Sequence, residues 1–132
     1  VTVTPIELSV SGIHLARGGR IHAGARSADA ERDGWHLKAF HARTDADVHA
    51  DHWQVNTEAD GIVFCIIGMI RLYLRPEWPG RQGEEEEIRL TAGTAAIVPR
   101  GQWHRIQLDT PSTIMTIAQS CGGHSERRAA PL

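Results

Sequence analysis

The stretch 93–106, GTAAIVPRGQWHRI, presents one histidine, His104, behind a glycine, a short apolar run, a proline and a second glycine. An imidazole can do two kinds of chemistry here. It can ligate a metal, but zinc, iron or manganese needs three or four His, Cys or carboxylate donors in fixed geometry. Alone, it can still exchange a proton near neutral pH or anchor a polar ligand by hydrogen bonds. The function of the chain therefore turns on whether His104 has partners.

Two other clusters offer donors. In CGGH, Cys121 and His124 have a spacing that a metal could use, although the stretch reads as part of a mobile tail. Glu84 to Glu87 form a run of carboxylates in a polar loop, and such a run stays solvated unless something pairs it. The remaining cysteine, Cys65, lies in an apolar strand-like run, and no disulfide framework is visible.

The spacing Gly93, five residues, Pro99, one residue, Gly101, two residues, His104 resembles the second sequence motif of the cupin family. Its parts have local reasons. Gly93 permits the turn into a strand, Pro99 ends that strand, and Gly101 lets the chain reverse before His104 opens the next one. The asparagine that the motif often carries four residues later is Leu108 here. The resemblance spans about residues 35 to 118. It implies an all-β, single-domain, cupin-type double-stranded β-helix, a jelly-roll barrel with the His104 side chain pointing inward.

The first cupin motif would lie upstream, as His, one residue, His, three or four residues, Glu, six residues, Gly. The matching stretch is QVNTEADG, then IVFCII, then Gly68. In that register Gln54, Asn56 and Gly61 stand where the family holds two histidines and a glutamate. The resemblance thus implies a largely lost metal centre and a pocket formed by Gln54, Asn56 and His104, with no metal cofactor expected. The alternative is a relocated site. Strand side chains alternate, so His52 shares a face with Gln54 and Asn56, and Glu58 lies four residues past Gln54. His52, Glu58 and His104, helped by His49 or His41, would then hold a divalent Fe, Mn, Zn or Ni ion.

These residues need strands to position them. PIELSV alternates and predicts a strand with Ile6, Leu8 and Val10 on one face. ARGGRIHAGARSADAERDG reads as loop, with a helical turn near Ser27 to Arg32. Short strands follow at WHLKAFHA, in DVHADHWQVN, and at IVFCII, MIRLYLR, EIRL, TAAIV, WHRIQL and TIMTIA. In MIRLYLR, Ile70, Leu72 and Leu74 alternate with Arg71, Tyr73 and Arg75. PEWPGRQGEEEE, with Trp78, is a loop. The expected organisation is an N-terminal arm over 1–34, a barrel over 35–118 and a tail over 119–132.

Trp53 and Trp103 each adjoin a site position, so alternation turns them to the opposite face. Large aromatics there predict either an interface, hence a homodimer by sheet packing or strand exchange, or cover by residues 1–34. The 132 residues are 41% hydrophobic with a net charge of −2. That supports a real core and argues against a nucleic-acid partner. The longest apolar run, Ile62 to Ile67, is far short of a membrane span, and the first residues lack a secretory pattern. A cytoplasmic protein with no membrane association is expected.

Three functions follow. The first is a binding protein for a small polar organic ligand. The second is a dioxygenase-, isomerase- or cyclase-type enzyme, using either the relocated metal or His104 as a metal-free general acid/base. The third is a structural or interaction protein, favoured if Phe64, Met69 or Met115 fill a vestigial cavity.

Overall fold

The computed structural model describes residues 3–25, 34–75, 85–119 and 122–128. Its strands are β1 (Ser11–Leu15), β2 (Ile21–Ala25), β3 (Trp35–Ala42), β4 (His52–Asn56), β5 (Gly61–Ile67), β6 (Met69–Arg75), β7 (Glu86–Thr91), β8 (Thr94–Val98), β9 (Trp103–Leu108), β10 (Ser112–Ala118) and β11 (Gly123–Arg127). One 3₁₀ turn, Asp45–Val48, precedes β4. Among the described residues no helix is long and apolar enough to cross a membrane.

The strands form two antiparallel sheets. The larger has the order β2-β1-β3-β10-β5-β8, and the smaller β11-β4-β9-β6-β7. From β3 to β10 the chain changes sheet at every step except β6 to β7. Counted as eight strands, the orders are 1-8-3-6 and 2-7-4-5, the double Greek key of a jelly roll. Alternation places the core between the sheets. Ile70 and Leu72 of β6 are buried there with Val63, Cys65, Val98 and Ile114, and Leu74 packs beside them. Burial pushes the Cys65 thiol above its ordinary pKa, so it stays a protonated, inert core group.

Gly68 joins β5 to β6 with φ +99, and a Cβ there would strike Ser112 Oγ and lie 2.7 Å from the Pro111 carbonyl oxygen. Only glycine combines that backbone with that approach.

The N-terminal region departs from expectation. Residues 3–10 contain no strand, and Ile6, Leu8 and Val10 are exposed. Pairing begins only at Ser11, which faces Ala25. Residues 16–25 of the glycine-rich stretch complete a hairpin rather than a loop. Gly18 and Gly19 both take positive φ, and the Ala16 amide donates to the Arg20 carbonyl at 2.8 Å. The hairpin extends the larger sheet through β1 and β3. Ser27 to Arg32, Trp78, Glu84 and Cys121 lie outside the described residues. Within the expected tail, β11 pairs with β4 along its whole length.

The tryptophans also depart. Trp53 faces away from the core but is only 3% exposed. The described N-terminal strands β1 and β2 belong to the other sheet, and the ring packs against arginines of its own sheet. The Arg75 guanidinium lies 5.1 Å from the Trp53 ring and 4.4 Å from that of Trp103. Arg105 lies 5.2 Å from Trp53 and 4.1 Å from Tyr73. The acidic run is partly paired too: Glu85 approaches Arg105 at 3.6 Å, and Glu87 approaches Arg71 at 3.6 Å.

Candidate functional site

The loop before His104 is built by the sequence 99–102. The Gln102 amide donates to the Pro99 carbonyl at 3.1 Å, and Gly101 at the third position has φ +81. This is a type II turn, which demands glycine there. The Gly101 amide donates to the Asn56 carbonyl at 2.7 Å, tying the turn to the end of β4. Gln102 then fixes the histidine. Its side-chain nitrogen donates to the Arg75 carbonyl at 2.8 Å, and its own carbonyl lies 3.1 Å from His104 Nδ1.

A carbonyl only accepts, so Nδ1 carries the proton and Nε2 keeps its lone pair. Burial holds the His104 pKa below its ordinary 6.5, and the bond to Gln102 offsets only part of this. His104 is therefore a neutral, oriented base at neutral pH.

His104 faces Gln54 in the register of β9 with β4. Together with Asn56 they line a cavity of about 140 Å³ between the sheets. Val63, Val98 and Ile106 supply apolar wall, and Thr116 adds a hydroxyl from β10. Phe64, Met69 and Met115 do not line it; Phe64 and Met115 are register partners in the larger sheet.

The three polar residues differ in their duties. Asn56 Oδ1 accepts the amides of Glu58 and Ala59 at 2.9 and 3.0 Å, and its Nδ2 donates to the Gln119 carbonyl at 2.9 Å. Its amide holds the 57–60 turn and the end of β10 rather than waiting for a ligand. Gln54 has no side-chain hydrogen bond among the described residues, so its amide is available. Thr116 is the residue that sequence reading missed. The alternation of STIMTIA around buried Ile114 was the signal that could have found it.

The relocated ligand set does not assemble. His52 Nδ1 bonds Asp51 Oδ1 at 2.9 Å, and His41 bonds Thr113 Oγ1 at 3.1 Å. His49 stacks edge-on against His52 at 6.2 Å. Glu58 leaves the barrel with the turn that Asn56 holds, and lines an open groove with Leu15, Trp35, Ile62, Ile97 and Ile117. Among the described residues no three His, Cys, Asp or Glu side chains are gathered to hold a metal ion. The cavity does not fit one either. Its lining holds one imidazole and one carboxylate, Asp60, whose Oδ1 accepts the Arg100 amide at 2.9 Å; the other polar side chains are the Gln54, Asn56 and Gln119 amides and the Thr116 hydroxyl, which leaves fewer than the three His, Cys or carboxylate ligands a transition metal needs.

Strand order and cavity together define a jelly-roll barrel with a ligand-sized space between its sheets. No family model matches the chain, and no curated protein matches it. Solved structures do. One is a cupin-2 domain containing protein from Shewanella frigidimarina, 17% identical, covering 70% of this chain and 74% of that one with a TM-score of 0.49. Another is hydroquinone 1,2-dioxygenase from Sphingomonas sp., at 14% identity, 64% and 59% coverage and a TM-score of 0.48. Oxalate decarboxylase from Bacillus subtilis is 12% identical with a TM-score of 0.49, covering 70% of this chain and only 23% of that one. These are likenesses of chain path, and the fold assignment rests on the strand order itself.

Proposed function

We propose that the chain binds a small organic molecule in the barrel cavity, without a metal ion, between the Gln54 amide, His104 Nε2 and the Thr116 hydroxyl. The observation that carries this is the pairing of Gln54 with His104 at a largely apolar cavity where Asn56 and Asp60 are already engaged in local hydrogen bonds. Few, well-placed polar groups on an apolar wall are what a small-molecule site requires. The volume of about 140 Å³ is close to the roughly 150 Å³ that accommodates a benzene ring. The ligand is therefore a single ring or a short chain with one or two hydrogen-bonding groups. Placement in the cytoplasm belongs to the same reading and is supported by Cys65, a free buried thiol.

Metal content and fragment binding on untagged protein test this. Binding of small ring compounds that is seen by ligand-observed NMR and weakened about fivefold in His104→Ala is expected. A bound metal that disappears in His104→Ala, with no such compound bound, overturns the reading.

A second reading has its own observation. His104 is held as a neutral base with a fixed tautomer, the state needed to take a proton from a bound acid. On that reading the protein is a metal-free isomerase or cyclase, and proton–deuterium exchange into a bound ligand would reveal it.

The partner we propose is a second copy of the chain, seated on the outer face of the larger sheet. Ile97, Ile62, Ile117, Leu37 and Ile13 are successive register partners across five strands. Ile97 is 72% exposed, and Ile21, Ile66 and Ile67 are exposed as well. A continuous apolar row of this kind marks an interface.

A further inference from the structure

We propose that the barrel cavity selects a neutral single-ring compound bearing a hydroxyl, of the phenol type, and rejects organic anions. This inference rests on the barrel reading above and names the ligand class of that same site. Two features carry it: the hydrogen-bonding sense of His104 and the charge of the cavity wall.

His104 offers a ligand only an acceptor. Its Nδ1–H donates to the Gln102 carbonyl at 3.1 Å. Residue 102 is itself clamped, because its side-chain nitrogen donates to the carbonyls of Arg75 and Trp103 at 2.8 and 3.0 Å. With the proton committed to Nδ1, Nε2 keeps a lone pair, and the ligand must bring the hydrogen. A ligand with only an acceptor would set two lone pairs against each other and leave Nε2 unsatisfied.

Gln54 supplies the complement. It is the register partner of His104, and such neighbours have Cβ atoms about 4.5–5.5 Å apart. Its NH2 group and the Thr116 hydroxyl can both donate. A hydroxyl oxygen meets both demands with one atom, giving its hydrogen to Nε2 and accepting from Gln54 or Thr116. Val63, Val98 and Ile106 then face the apolar body of the ring.

The wall decides the charge. Among the described residues that line the cavity, Asp60 is the one charged side chain, and its Oδ1 already accepts the Arg100 amide at 2.9 Å. Arg100 lines the outer groove and not this cavity. Burial keeps the imidazole neutral at neutral pH, so no cation faces the ligand. A carboxylate would give up its hydration and meet no positive partner. An ammonium would give up its hydration for a single carboxylate on an exposed residue that is already bonded.

Ligand-observed NMR titration of the untagged full chain at neutral pH, with phenol, pyridine, benzoate and benzylamine as probes, tests this. Phenol is expected to bind at least roughly fivefold tighter than pyridine, a neutral ring with an acceptor and no donor, and benzoate is expected not to displace it. The preference for phenol over pyridine should fall by roughly fivefold in His104→Ala and persist in Gln54→Ala, with circular dichroism as the folding control. Pyridine or benzoate binding as tightly as phenol, with binding still weakened in His104→Ala, overturns the donor rule and leaves the barrel reading standing. Tightest binding of benzylamine would make Asp60 the recognising group and overturns it too, as does a phenol preference unchanged in folded His104→Ala. Binding of none of the four removes the barrel reading and this inference together.

Discussion

Gln54 and His104 are the matched pair through which β4 meets β9, and both side chains line the barrel cavity. Each should contribute one hydrogen bond to a ligand that spans them. Gln54→Ala and His104→Ala should each weaken a bound ring compound by about 1 kcal/mol, roughly fivefold in Kd, as read by NMR titration. Asn56→Ala should instead lower thermal stability, because its amide holds the 57–60 turn.

The His104 imidazole gives stability a pH dependence of known sign. Burial lowers its pKa in the folded state below the ordinary 6.5. As pH falls below about 6.5 the unfolded chain takes up the proton first, so this contribution to stability is complete above that pH and is lost below it, levelling off once the folded state protonates too. His104→Gln should flatten that part of the profile. Urea unfolding at pH 7.5 and 5.5 measures it, and an unchanged slope in the variant would contradict the buried neutral state.

Arg75 stacks between two indoles and also bonds Glu126 Oε2 at 2.9 Å. Its side chain is 13% exposed, so solvent screens these contacts only in part. Arg75→Ala should cost about 2 kcal/mol by chemical denaturation, and Arg75→Lys roughly half of that, since an ammonium keeps the charge but not the planar stack.

Gly68→Ala should destabilise the fold by about 2–4 kcal/mol. It combines a positive φ with a clash against Ser112 and the Pro111 carbonyl. Gly93→Ala, where φ is +84 but nothing lies within 4 Å of the added Cβ, should cost only about 1 kcal/mol. Comparing the two melts separates backbone strain from close approach.

The apolar outer face predicts association. Light scattering on the eluting protein should give twice the chain mass, and Ile97→Asp should return the monomer by placing a charge in the middle of a desolvated interface. A monomeric wild-type protein at high concentration would remove the second copy from consideration.

Sequence by itself determined what local sterics and alternation control. MIRLYLR could only be a strand with Ile70, Leu72 and Leu74 inward, because the side-chain period of a strand is two. Gly101 was legible as the reversal before His104, because few residues tolerate such a backbone, whereas Gly68 served as a landmark only through the resemblance that set the register of the first motif.

What the sequence left open depended on which strands become neighbours. The relocated ligand set His52, Glu58 and His104 failed because Asn56 commits its amide to the following turn and carries Glu58 out of the barrel. Trp53 pointed outward as alternation requires, yet it is buried, because arginines from β6 and β9 fold over it. The hairpin that adds β1 and β2 to the larger sheet was hidden in a glycine-rich stretch that reads as loop. Only tertiary structure could decide these points, since strand register is set by long-range pairing and the competition to bury apolar surface, neither of which a short window of sequence contains.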